Sequence, residues 1–235
     1  MKRPVVIFRH YFSEGPGFLG EYLTKQQIPW TLIPLDEGAA VPNDPNLFSG
    51  LVFMGGPMSV NDDLPWIPPA LTLIREAVRH HVPVLGHCLG SQLMSRALGG
   101  TVSRNPQKEI GWGPVFLTAH EVAHRWFGPR PSFQAFHWHG DTWSLPKNAI
   151  LLAKSPLCPH QAFAIGPHLG MQFHIEMTEN LIHTWCENGK NEIAASPGEG
   201  VQPAEIILRQ TPLHLPELRQ SAHHVYGQWT SGLRS

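Results

Sequence analysis

The sequence predicts an α/β fold: a mostly parallel sheet with helices on both faces, antiparallel additions after it, and a short helical C-terminal tail. Three observations carry this expectation. In the first hundred of the 235 residues, short uninterrupted apolar runs alternate with segments of helical periodicity. Strands apolar on both faces belong to parallel sheets buried beneath helices. After Thr101 the strand-like pieces follow one another closely, as in hairpins. Beyond Ser196–Pro203, which holds two prolines and two glycines, apolar stripes return at helical spacing.

Val5-Val6-Ile7-Phe8 reads as the first strand, and Phe18, Leu19, Tyr22 and Leu23 share a face of the first helix. Trp30–Leu35 and Leu51–Met54 are the second and third strands. A helix with Ala70, Ile74, Ala77 and Val78 on one side leads to a fourth strand at Val82–Leu85. Leu93, Met94, Ala97 and Leu98 mark a third helix, stopped by Gly99-Gly100. Strand-like pieces follow near Val115–Leu117, Phe133–Trp138, Ile150–Ala153, Ala162–Ile165 and Gly170–Phe173, then a helix at Glu179–Glu187. The tail reads as two amphipathic helices, one carrying Val201, Ala204, Ile207 and Leu208 and the other Leu218, Ala222, Val225 and Trp229, packed on the main domain. The chain thus divides into a main domain over residues 1–195 and a linker with a helical extension over 196–235.

Composition narrows the function. At 42% hydrophobic and 15% charged residues the chain has material for a core and too little charge for disorder. Lys+Arg number 17 against 18 Asp+Glu, so the basic surplus of a non-specific nucleic-acid or anionic-membrane binder is missing. No apolar run approaches the ~20 residues that span a bilayer. Met1-Lys2-Arg3 opens like a signal peptide, but the apolar run Val5–Phe8 ends at Arg9-His10, short of an h-region of about 7–15 residues. Cys88, Cys158 and Cys186 are few, scattered and odd in number, which argues for a reducing, cytoplasmic setting and not a disulfide framework.

One of these cysteines sits in a chemical context. Pro83-Val84-Leu85-Gly86-His87-Cys88-Leu89-Gly90-Ser91-Gln92-Leu93 runs a buried strand into a G-x-C-x-G turn and then a helix. This is nucleophile-elbow logic with sulfur in place of the serine oxygen. The flanking glycines permit the tight bend, and the helix N-terminus lowers a thiol pKa and offers the Leu89 N–H to a developing oxyanion. A thiolate needs a base, and Gly170-Met171-Gln172-Phe173-His174-Ile175-Glu176 supplies one. Residues two apart on an extended strand end point the same way, so Glu176 can orient His174 while His174 deprotonates Cys88. Phe53-Met54-Gly55-Gly56-Pro57 ends the third strand at the same sheet edge, where glycine lets the backbone approach a substrate carbonyl closely.

These segments resemble the class I (triad) glutamine amidotransferases, and in particular the glutaminase domain of GMP synthetase. The matching elements are Gly86–Gln92, His174-Ile175-Glu176 and Phe53–Pro57, with Lys108–Trp112 and His137–Asp141 as less specific additions, together covering about residues 4–185 in the family's order. The resemblance implies a flavodoxin-like domain that hydrolyses the side-chain amide of glutamine through a Cys88 thioester. It further implies that Gly56 and Leu89 donate N–H groups to the oxyanion, with Gly55 alongside, and that Gln92 sits near the bound glutamine. His87 departs from common family usage, which favours a small or apolar residue before the nucleophile.

Competing signals are weaker. Gly15, Gly17 and Gly20 spell G-x-G-x-x-G with Asp36 downstream, but the lead-in from the strand is long and Pro16 removes a donor that a pyrophosphate would want. His137, His139, Asp141, His174 and Glu176, with Cys158 and His160, invite a metal reading, yet no HExxH or paired CxxC exists; neither metal nor cofactor is expected. No G-x-x-x-x-G-K-[ST] or Ser-Gly-Gly-x-Asp-Ser loop occurs. The resemblance implies glutamine or another γ-glutamyl compound as the ligand, with ammonia passing to a separate synthetase chain or the hydrolysis serving its own end. The alternatives are a γ-glutamyl peptide hydrolase and a non-catalytic regulatory module of the same fold. A homo-oligomer stays open.

Overall fold

The structure is a computed structural model and describes residues 3–234, so Met1 and Lys2 of the leader-like start lie outside it. The parallel half of the sheet is made of β1 (Val5–Arg9), β2 (Trp30–Pro34), β3 (Gly50–Phe53), β4 (Val84–His87) and β9 (His168–Met171). The antiparallel half is made of β5 (Val102–Leu117), β6 (Ser132–Trp143), β7 (Ile150–Lys154) and β8 (Ala162–Ile165). All nine form one sheet in the order β2-β1-β3-β4-β9-β8-β7-β5-β6. The predicted class is the observed one, with half of the strand pairings parallel.

Helices cover both faces, as strands without polar alternation require. Val6 and Phe8 of β1 pack with α2 (Ile67–Arg79) and α3 (Leu89–Ala97). Val5 and Ile7, one residue out of phase, pack with α1 (Gly17–Lys25), α4 (Glu121–Phe127), α5 (Glu179–Asn188) and α7 (Ala204–Thr230), while α6 (Lys190–Ala195) follows α5 directly. Each buried aliphatic or aromatic side chain contributes on the order of 1.5–3 kcal/mol. No helix among the described residues is long and apolar enough to cross a membrane.

Three readings need correction. The tail is one helix of 27 residues and not two, although Pro212 and Pro216 lie inside it. Both prolines fall on its exposed side, so the carbonyls they leave unpaired face water. The apolar series Ile207, Leu215, Leu218, Ala222, Val225 and Trp229 runs unbroken along the buried side and holds the helix together. Val201 is not on this helix but bridges to Ile110. The strand around Val115–Leu117 starts far earlier, at Val102, and the β5–β6 ladder is irregular between Arg104 and Glu109. Helices α4, of seven residues, and α6, of six, are additional elements, too short to show periodicity.

Candidate active site

Sheet order explains how distant segments meet. β3, β4 and β9 are neighbours and parallel, with Phe53 beside Gly86 and His87 beside Met171. Their carboxyl ends therefore deliver Gly55-Gly56, Cys88 and His174 to one edge, where open α/β sheets place ligands. The Cys88 N–H donates to Met171 O at 2.8 Å and the His174 N–H to Phe136 O at 2.8 Å, so both segments are pinned by backbone.

Cys88 is the N-cap of α3, with φ 48° and ψ −107°. A non-glycine residue at positive φ is strained by about 1–3 kcal/mol, and the surrounding packing holds it there. A Cβ on Gly86 would lie 2.6 Å from the Gly90 carbonyl carbon, and one on Gly90 would overlap the Phe53 carbonyl. Only glycines let α3 start this close to β3 and β4. The thiol faces Trp138 O at 3.7 Å and accepts from Gln172 Nε2 at 3.4 Å; Gln92 Nε2 in turn donates to Gln172 Oε1 at 3.3 Å.

His174 Nδ1 donates to Glu176 Oε1 at 2.6 Å. Its Nε2 has no conventional hydrogen-bond partner and is buried beside Cys88, and Trp185 braces the ring edge-on with centroids 4.8 Å apart. Burial opposes a charge on this imidazole, but Glu176 and then Cys88 overcome it and raise its pKa well above the ordinary histidine value. Burial pushes the Cys88 thiol up, with His174 pulling it back. Burial would also raise Glu176, yet His87 and His174 hold it far below the usual carboxylate range. Sulfur and imidazole are thus a coupled pair next to a fixed negative charge, an arrangement suited to moving a proton from thiol to ring.

A cavity of about 340 Å³ opens beside the sulfur, at the lower end of the range for small-molecule sites. Cys88, Gly56 and Gln92 line it, together with Trp138, Trp185, Arg104 and Lys108. Among the described residues, neither the Gly56 N–H nor the Leu89 N–H donates to a protein acceptor, and a Cβ on Gly56 would come within 2.9 Å of Leu89 Cδ2. Gly55 lies against His174 and Glu14. Beneath this turn His10 donates from Nδ1 to Met54 O at 3.0 Å, and burial lowers its pKa to about 4.

Sequence reasoning missed Gln172, Trp185 and Glu14. Glu14 lines the cavity, and burial raises its carboxyl to about 7. It carries no periodic or motif signal; only its place after the first strand could have pointed to it. Of the metal candidates, His139 and Cys158 do approach each other, together with Glu109. Glu109 Oε2 is already hydrogen-bonded to His139, Ser155 and Gln161 at 3.0, 2.9 and 2.7 Å, which ties β5, β6 and the β7–β8 connection together. The glycine-rich turn before α1 is also occupied, since the Phe18 N–H donates to Glu176 O at 2.8 Å.

The chain is similar in sequence and in fold to known proteins. The family described as "Glutamine amidotransferase class-I" matches residues 18–189. The "Putative glutamine amidotransferase-like protein YfeJ" of Salmonella typhimurium is 34% identical over 169 residues, covering 69% of this chain and 71% of that protein. A subunit of the glutamine-hydrolyzing GMP synthase of Ignicoccus hospitalis is 32% identical over 152 residues, 63% of this chain and 73% of that one. A solved glutamine amido transferase from Methylobacillus flagellatus is 39% identical with a TM-score of 0.97, covering 100% of this chain and 96% of its own.

Proposed function

The chain belongs to the class-I glutamine amidotransferase family, and we propose that it hydrolyses the side-chain amide of glutamine with Cys88, His174 and Glu176 as its triad. The observation that carries this reading is His174, held at 2.6 Å by a buried carboxylate on one nitrogen while the other faces a strained cysteine at a cavity. His174 takes the Cys88 proton, and the thiolate attacks the glutamine Cδ. The oxyanion that forms is met by the free N–H groups of Gly56 and Leu89. The tetrahedral species collapses as His174 returns its proton to the departing ammonia. Water, deprotonated by the same imidazole, then attacks the thioester to give glutamate and regenerate the thiol. Gln92 lines the chamber where the glutamyl moiety lies.

Ammonia is passed to an acceptor on a separate synthetase chain. The likeness to a protein named as one subunit of a GMP synthase supports this. A second reading, hydrolysis of γ-glutamyl peptides, draws on Arg104 and Lys108, basic side chains that line the cavity beside their partners Asp141 and Glu192. Steady-state assays on glutamine and on γ-glutamyl dipeptides separate the two: a preference for peptides overturns the first reading. Cys88→Ala should abolish turnover of either substrate with the fold intact. Undiminished hydrolysis by that variant refutes the triad.

A further inference from the structure

The residue before the nucleophile has a place in this site that neither its type nor its position announced. His87 is the last residue of β4, fully buried, and its Nδ1 lies 2.9 Å from Glu176 Oε2. The angle is poorer than that of a regular hydrogen bond, so the contact is chiefly ionic or dipolar. Glu176 therefore stands between two imidazoles, with Oε1 toward His174 and Oε2 toward His87. Among the described residues nothing else in the protein reaches Oε2. Without His87 that oxygen would face a dry interior uncompensated, at a cost that falls on the ionised form.

We propose that His87 is a positioning residue that keeps Glu176 ionised and aimed at His174, extending the relay to His87–Glu176–His174–Cys88. This rests on the reading of Cys88 and His174 as nucleophile and base. The chain's own packing supports it. Backbone pairing fixes His87 beside Met171, five residues before Glu176. The Tyr226 ring from α7 stands edge-on to the His87 ring with centroids 6.2 Å apart, so the imidazole cannot swing away. The charged and titratable groups that bear on Glu176 are His87 from β4, His174 and Cys88 at the strand ends, Glu14 from the loop after β1, and Tyr226 from α7. Of these, only His87 and His174 favour the carboxylate.

The sign of the effect follows. Removing the His87 N–H destabilises the Glu176 anion, which weakens the field that makes His174 basic. A less basic His174 supports less thiolate on Cys88, so the thiol needs a higher pH to ionise. The test is the pH dependence of Cys88 alkylation by iodoacetamide in the purified chain, with Cys158→Ser and Cys186→Ser in the background. His87→Leu should move the midpoint up by about one unit, a tenfold loss of thiolate below it. It should lower kcat for glutamine about tenfold while leaving KM within about twofold. His87→Asn, whose side-chain amide can donate from near the Nδ1 position, should restore most of both. A purely structural His87 would lower the melting temperature without moving the alkylation midpoint.

Alkylation needs no substrate, so the result stands even if the wild type fails to hydrolyse glutamine; that failure would overturn the hydrolase reading and not this one. An unchanged midpoint in folded His87→Leu overturns the proposal, as does an equal shift in His87→Asn, which would make ring volume the cause. If His87→Leu does not fold, His87→Gln takes its place under the same criteria, its amide reaching toward Nε2 and away from Glu176.

Discussion

Replacing Glu176 with glutamine removes one charge from the centre of the site and almost no volume. In the wild type Glu176 Oε1 accepts from His174 Nδ1 at 2.6 Å, and the carboxylate is 2% exposed. A hydrogen bond to a charged group is worth about 1.5–3 kcal/mol in net terms. The bond assists chemistry only when His174 carries the extra proton, so most of that energy acts on the transition state. At about 1.4 kcal/mol per tenfold, Glu176→Gln should lower kcat/KM for glutamine roughly 10- to 150-fold. The amide still fills the space and can accept from His174, so unfolding free energy at pH 7 should stay within about 1 kcal/mol of wild type. Steady-state ammonia release and urea unfolding read the two quantities. A variant that keeps more than about a third of wild-type kcat/KM would refute the electrostatic role given to Glu176. A large loss of stability would mean that the carboxylate serves the fold before the chemistry.

Other expectations follow from the same structure. His10, His137 and His168 are buried with pKa values lowered to about 4 by burial, and His168 Nδ1 accepts from the Val84 N–H at 3.2 Å, which protonation there would end. Their contribution is complete above pH 6.5 and is lost as pH falls toward 4. Urea midpoints should therefore drop between pH 7 and 5, less steeply in His168→Gln. Burial raises Glu14 to about 7, so stability is lost as pH rises from about 4.5 to 7, and above 7 the ionised carboxylate raises the Cys88 thiol. Glu14→Gln should remove that loss, gaining on the order of 2 kcal/mol already at pH 6 and about 3 at pH 8, and should alkylate faster at pH 8 with little change in rate at pH 6. Gly90→Ala would drive a methyl group into the Phe53 carbonyl, a backbone atom that cannot move aside. It should cost about 1–3 kcal/mol and slow alkylation by shifting the elbow; a neutral effect on both measures would contradict the close approach of α3 to β3.

β1 to β4 of the parallel half were legible because these strands are short, apolar and separated by helices with clear stripes; β9 was read at Gly170–Phe173 as one of the hairpin pieces, whereas it runs over His168–Met171 and pairs parallel to β4 as well as antiparallel to β8. The antiparallel half was less so. β5 carries Arg104, Asn105, Pro106, Gln107 and Lys108 through a bulge, and polar residues at an irregular edge leave no alternation to read. The C-terminal helix was split by two prolines whose position on the wet side can only be judged with the buried side in view. In the candidate site, Cys88 and His174 stood out through their flanking motifs, and pairing of β4 with β9 accounts for their meeting across the chain. Trp185 and Gln172 gave no warning, since their roles depend on the crossing of α5 and the end of β9 above the elbow. His87 was visible only as an oddity; its carboxylate partner lies 89 positions along the chain.

The course of α7 bears on how the protein comes into being. This helix lies late in the chain, yet Tyr226 closes the side of the site on which His87 and Glu176 meet. Translation at about 5–20 residues per second leaves a gap of several seconds between Glu176 and Tyr226. The side of the pocket on which His87 and Glu176 meet therefore gains its Tyr226 ring only when α7 packs onto the sheet.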